Sequence, residues 1–245
     1  MTPLARRSIA LLYGGISHAL FGGAIAVMLA SLWTGMALGQ GPFEGAAAWV
    51  ANTLLALQFP VIHSLLLTSG GRKLLSRLAP GGLGRDLSST TYAASAAIQL
   101  LATFLLWSPT GVVLWETTSR ALPFFGVIFA ASWALLLKAL YDGGMGAQTG
   151  WVGWTAVFRG RRPNYGPLRT EGLFARCRQP IYLSFALTLW TGAGWTADHL
   201  HLAILWSLYC IIAPLHKERR YERLFGEAFA VYRRRVPYIF PRLHR

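Results

Sequence analysis

Acidic side chains are scarce in this 245-residue sequence, nine against 23 lysines and arginines, and none falls inside a long apolar run. That shortage disfavours a transporter, whose ion and proton pathways run over intramembrane carboxylates, and no inverted repeat is visible either. Cysteine is scarcer still. Cys177 and Cys210 cannot define a disulfide framework, and both read as incidental. Charge-rich linkers, internal repeats and a cleavable leader are also missing, since the first apolar run is too long and lacks a polar cleavage region. One domain over residues 1–245 is expected, with no metal site. Only 13% of residues are charged, whereas 54% are hydrophobic and the mean hydropathy is +0.42. Such a balance excludes an ordinary soluble domain and indicates an integral membrane protein.

Apolar stretches near the ~20 residues that span a bilayer lie at 11–34, 46–68, 87–107, 121–141, 180–196 and 199–215. The last two are short and separated by "TADH", so they read as a tight helical hairpin or as a pair that does not fully cross. The fold class expected is all-α: a polytopic helical bundle of five to six transmembrane helices, followed by a cytoplasmic amphipathic helix.

A net charge of +14 raises the question of nucleic acid, and the positions of the cations answer it. With a cytoplasmic N-terminus, six crossings place 21 of the 23 lysines and arginines inside, leaving Arg120 outside and Lys138 near the inner end of its helix. Glu44, Glu116 and Asp198 fall in the outer loops. The surplus is therefore the positive-inside pattern plus attraction to anionic membrane lipids, and no nucleic acid is expected. The compartment this implies is a membrane of the bacterial inner-membrane type, with both termini cytoplasmic.

Polar residues concentrate in two cytoplasmic segments, 142–182 and 216–241, which flank the last apolar pair. The first, within "YDGGMGAQTGWVGWTAVFRGRRPNYGPLRTEGLFARCRQP", is rich in glycine and proline and predicts irregular chain with a short interfacial helix over 151–158. The second, "HKERRYERLFGEAFAVYRRRVPYIFP", has helical spacing, with Tyr221, Leu224, Phe225, Ala228, Phe229 and Tyr232 on one face and arginines opposite. That pattern fits an amphipathic helix lying on the membrane or the bundle. Glu218 stands out as a carboxylate in a segment otherwise rich in positive charge. Either it pairs with Arg178, Arg219 or Arg220, or it contacts a cationic or hydroxyl-bearing ligand. Pro180 reads as the first residue of a helix, and Tyr182 as an interfacial tyrosine. His63 in "QFPVIHSLL" is a lone histidine on an apolar helix, either a hydrogen-bonded structural residue or a base; His18 is a weaker candidate.

The order "RCRQPIYLSF", an apolar hairpin, then "KERRYERLFGEAFAVYRRRVPYIFP" resembles the membrane methyltransferases that include isoprenylcysteine carboxyl methyltransferases and phospholipid N-methyltransferases. In those, an Arg-His-Pro-x-Tyr element opens the hairpin, and a Glu-Glu pair precedes a Phe-Gly-x-x-Tyr/Phe-x-x-Tyr helix. Arg178, Pro180 and Tyr182 match the first element, Glu218 the second carboxylate, and Phe225, Gly226, Phe229 and Tyr232 the helix. Upstream, "QFPVIHSLLLTSGGRKLL", "DLSSTTYAASAAIQLLATFLLWSP" and "YDGGMGAQ" are similar to the NnrU and methanethiol S-methyltransferase branch.

What the resemblance implies is an enzyme that transfers a methyl group from S-adenosylmethionine to a small apolar thiol such as methanethiol. Alternatives are a lipid or prenyl-cysteine acceptor, or a non-catalytic NnrU-like protein. It assigns Gln148, Arg178, Gln179, Tyr182 and Glu218 to the cofactor and makes His63 and Tyr182 the catalytic candidates. Two positions depart from the family: Gln179 stands for its histidine and Lys217 for its first carboxylate. Glutamine keeps hydrogen bonding but loses a titratable ring. Lys217 reverses a charge near a cationic cofactor, and it is expected to snorkel toward lipid phosphate.

Overall fold

The computed structural model describes residues 1–241. In chain order the elements are α1 (Pro3–Trp33), α2 (Gly45–Leu66), α3 (Ser69–Leu78), α4 (Gly84–Leu105), β1 (Val113–Glu116), α5 (Leu122–Asp142), α6 (Met145–Gln148), α7 (Trp151–Arg159), a 3₁₀ turn (Gly172–Ala175), α8 (Pro180–Thr188), β2 (Gly194–Thr196), α9 (Ala197–Phe225) and α10 (Glu227–Arg235). By length and composition, α1, α2, α5 and α9 are each long and apolar enough to cross a membrane. The all-α membrane bundle is the architecture observed, and the single sheet among the described residues is the two-stranded pair β1–β2.

The chain divides into two compact units. The first comprises residues 1–31, 38–109 and 145–166. Here α4 has the length of a crossing but a more polar face, with Thr90, Thr91, Gln99 and Thr103 buried. Those hydroxyls are used. Thr90 Oγ1 donates to Gly150 O at 2.7 Å and accepts from Trp154 N at 3.1 Å, fastening α7 to α4. The helices approach closely at Gly153, where an added Cβ would lie 2.6 Å from Thr90 Oγ1. Asn52 completes a reciprocal pair with Ser108: its amide donates to Ser108 O at 2.8 Å, and Ser108 N donates to Asn52 Oδ1 at 2.9 Å. Thr90→Val keeps the shape but leaves a carbonyl and an N–H without their buried partner, so it is expected to lower stability by about 1 to 2 kcal/mol, read as a lower thermal midpoint in detergent.

The second unit comprises residues 32–37, 110–144 and 167–245, of which those to 241 are described. Three features differ from the reading of the sequence. The run at 180–196 is not one helix: α8 stops at Thr188 and is about 14 Å long, too short to cross a ~30 Å hydrocarbon core. Residues 194–196 instead form β2, antiparallel to β1 with Trp115 opposite Trp195 and Glu116 opposite Gly194. The "TADH" break is a helix start, because Thr196 caps α9 by accepting from His199 N at 3.1 Å. Finally, α9 runs through the sixth apolar run into the tail, as far as Phe225.

The amphipathic tail is therefore the end of α9 plus α10, broken at Gly226 (φ 51°, ψ −124°), a conformation essentially restricted to glycine. Phe229 and Tyr232 are buried with Val236, and Tyr221 and Phe225 pack beside them. Leu224 does not share that face, being 65% exposed.

Candidate functional site

Local structure explains how the second unit assembles a polar cluster. Pro180 at the first turn of α8 needs no intrahelical N–H partner, so the helix starts there and holds Gln179 at its N-cap. Arg178 is anchored by its own backbone, whose N–H donates to Pro237 O at 2.9 Å. Asp142, at the end of α5, accepts from Leu173 N at 2.8 Å and pairs with Lys138. The bond fixes the 3₁₀ turn and thereby Phe174. Gly172, at φ 60°, is required there because a Cβ would sit 2.4 Å from Asp142 Oδ2.

Glu218 is the hub. Its carboxylate is gripped at both oxygens by Arg178, with Nε to Oε1 at 2.8 Å and Nη2 to Oε2 at 3.1 Å, the bidentate fork that guanidinium and carboxylate favour. Gln179 Nε2 adds a third bond to Oε1 at 2.7 Å. Of the partners open to Glu218 in the sequence, Arg178 is the one it takes. The second edge of the guanidinium donates to Val236 O at 2.6 Å and Arg233 O at 3.2 Å, so one side chain ties the start of α8 to α9 and to the end of α10. Both members of the pair are nearly buried, with side-chain exposures of 10% and 9%.

Lys217 completes the chain of contacts and does not reach toward lipid. Its Nζ donates to Gln179 Oε1 at 3.2 Å. It also sits 5.3 Å, 5.6 Å and 5.7 Å from the ring centroids of Tyr221, Tyr182 and Phe174. The amide of Gln179 thus lies between a cation and an anion, with its oxygen toward Lys217 and its nitrogen toward Glu218. Two cations and one carboxylate leave the cluster with a surplus positive charge, which the aromatic faces help to absorb.

Around this core, burial pushes the Tyr238 hydroxyl up to about 12 and raises that of Tyr232 as well, so both remain O–H donors at neutral pH. Tyr232 donates to Phe174 O at 2.7 Å, and Tyr238 to Ile211 O at 2.7 Å. Burial also raises the Cys177 thiol, which keeps it protonated and unreactive.

Of the residues expected at the site, Arg178, Gln179, Tyr182 and Glu218 come together here. His63 and Gln148 belong to the first unit. The His63 ring stacks on Phe59 at 4.9 Å and tilts against Tyr92 at 4.6 Å. Gln148 ends α6 with its side chain exposed. Sequence reasoning missed Phe174 and Tyr221 as partners of Lys217. The spacing of Lys217 and Tyr221, one helical turn apart, was the available signal for one of them; the fold of the 3₁₀ turn alone brings in Phe174. The first unit also carries a cleft of about 310 Å³ lined by Trp151, Thr155, Arg159, Arg161, Arg162 and Asn164.

Four helices long and apolar enough to cross a membrane mark a polytopic integral membrane protein, and its second unit holds a buried cluster of guanidinium, carboxylate and amide. The chain is a homologue of proteins named methanethiol S-methyltransferase and of nurim, consistent with the isoprenylcysteine carboxyl methyltransferase-like superfamily of membrane methyltransferases. It is 26% identical over 199 residues to methanethiol S-methyltransferase of Pseudomonas deceptionensis, covering 81% of this chain and 74% of that protein. Against the Mycobacterium tuberculosis protein of the same name it is 27% identical over 203 residues, covering 81% and 80%. Nurim of Rattus norvegicus is 31% identical over 179 residues, 68% of this chain and 64% of nurim. No family model and no solved structure matches the chain. These relatives support a membrane methyltransferase.

Proposed function

We propose that this protein transfers a methyl group from S-adenosylmethionine to a small apolar thiol such as methanethiol. The observation that carries the reading is the convergence of Arg178, Gln179, Tyr182 and Glu218 on one buried cluster, in a chain related to methanethiol S-methyltransferases. When bound, S-adenosylmethionine supplies a methyl group activated by a positively charged sulfur. The residue types suit it. The ring faces of Phe174, Tyr182 and Tyr221 attract a cation, and Glu218 and Gln179 offer acceptors for an amine or a ribose hydroxyl. Arg178 acts by holding Glu218 in place, its donors being committed to that carboxylate and to two carbonyls.

The acceptor thiol must lose its proton, since the thiolate is the nucleophile. His63 is the side chain proposed to take it, and Gln148 is proposed as a further cofactor contact. Membrane lipids are the standing environment, and the basic cleft with Arg159, Arg161 and Arg162 suits anionic headgroups at a cytoplasmic face. That placement goes with a bacterial inner membrane and two cytoplasmic termini.

A second reading, a non-catalytic NnrU-like protein, has a specific observation in its favour: Lys217 already places a cation against the aromatic faces, and Glu218 already pairs with Arg178. One assay separates the two. Purified protein is incubated with methyl-labelled S-adenosylmethionine and a panel of methanethiol, longer thiols, prenyl-cysteines and phospholipids. Label in dimethyl sulfide is the expected result. Label in lipid or prenyl-cysteine instead moves the acceptor class, and no transfer to any acceptor together with no binding of the cofactor sinks the enzyme reading.

A further inference from the structure

Lys217 is an awkward guest where it lies. An ammonium carries three N–H donors, and here Gln179 Oε1 takes one, while Tyr221, Tyr182 and Phe174 present ring faces at 5.3 to 5.7 Å. Ring faces attract charge within about 6 Å but are poor hydrogen-bond acceptors. An onium group, whose charge is clothed in alkyl carbons, has no N–H donors to satisfy and suits the same three faces better. Glu218, the adjacent carboxylate, bonds Arg178 and Gln179, so it attracts the ammonium through space without a direct bond to it. The lysine stem is four flexible carbons long, so rotation about its own bonds can carry the ammonium off the ring faces.

We infer that Phe174, Tyr182 and Tyr221 form a subsite for an onium cation, of the trialkylsulfonium or quaternary ammonium class, and that Lys217 is its tethered occupant. A soluble cation binds by displacing the lysine, so the charge of Lys217 sets the affinity. The identity of the natural guest, the sulfonium of S-adenosylmethionine, rests on the function proposed above. The cage and its plug do not.

The test is calorimetry on the full chain in detergent, comparing the native protein with Lys217→Met and Lys217→Gln. The titrants are trimethylsulfonium, S-adenosylmethionine and S-adenosylhomocysteine, the last being neutral at sulfur. Removing the lysine charge should tighten trimethylsulfonium and S-adenosylmethionine by about tenfold, with a clearly smaller gain for S-adenosylhomocysteine. Adding Tyr221→Ala to Lys217→Met should cancel the gain. The native protein gives a second readout independent of any variant's folding: saturating trimethylsulfonium should raise the rate at which an amine-reactive reagent labels Lys217, followed by mass spectrometry. No gain for trimethylsulfonium in folded variants, or unchanged labelling of Lys217, overturns the inference even if the adenosyl ligands bind. A gain for trimethylsulfonium with no binding of either adenosyl ligand upholds the cage and removes the methyl-donor reading.

Discussion

Glu218→Ala is expected to lower stability by about 3–5 kcal/mol and, on the function proposed above, to abolish binding of S-adenosylmethionine. The size follows from what the substitution strands: removing one member of a buried ion pair leaves the other without its compensating charge. Arg178 is that member, at 10% side-chain exposure, and Gln179 loses its acceptor as well. The resemblance by itself suggests a pure binding defect in a folded protein; the geometry predicts a folding defect too. Glu218→Gln separates the contributions, since an amide fills the same space and still accepts hydrogen bonds. It should recover part of the stability while cofactor binding stays weak. Thermal unfolding in one detergent, paired with calorimetry, reads both quantities, and an unchanged midpoint for Glu218→Ala would show that the carboxylate does not hold this corner together.

Gly226→Ala should have the second largest effect, and by a different route. At φ 51° and ψ −124° an alanine is strained by about 1–3 kcal/mol. Nothing lies within 4 Å of the added Cβ, so the penalty is carried by the backbone alone. The chain relieves it by changing direction after Phe225, which withdraws Tyr232 from Phe174 O and the carbonyls of Arg233 and Val236 from Arg178. Limited proteolysis should then cut between residues 226 and 241 while α9 stays intact. Cleavage no faster than in the native protein would mean that α10 does not depend on this turn.

How much of this was legible in the sequence depended on the range of the interaction. Helices α1, α2 and α5 announce themselves as uninterrupted apolar runs, and α7 was foreseen to within a residue from its tryptophans and flanking glycines. Pro180 marked the start of α8 because its effect is local. The end of α8 had one local signal, Gly192 and Gly194 inside the apolar run, but the state that replaces the helix was not legible, because β2 forms by pairing with the distant β1. In the site, the sequence left Glu218 either to one of three arginines or to a cationic or hydroxyl-bearing ligand. It could not choose Arg178 over Arg219 or Arg220, because that choice is made by the backbone of residues 233–237 arriving at the same guanidinium. Lys217 was misread for a related reason. Snorkelling is the default of a lysine near a membrane interface, and only the folded turn that carries Phe174 supplies the competing faces.

The bonds of Arg178 also set an order of events during biogenesis. Its guanidinium is synthesised 58 residues before Val236, one of the carbonyls it donates to, and 40 before Glu218. For that interval the arginine lacks both its carboxylate and its carbonyl partners, and the site cannot close until the stretch around Pro237 has left the exit tunnel. Fusions or premature stops that remove this stretch should therefore yield chains that insert their apolar helices normally and yet arrive with an unfinished centre.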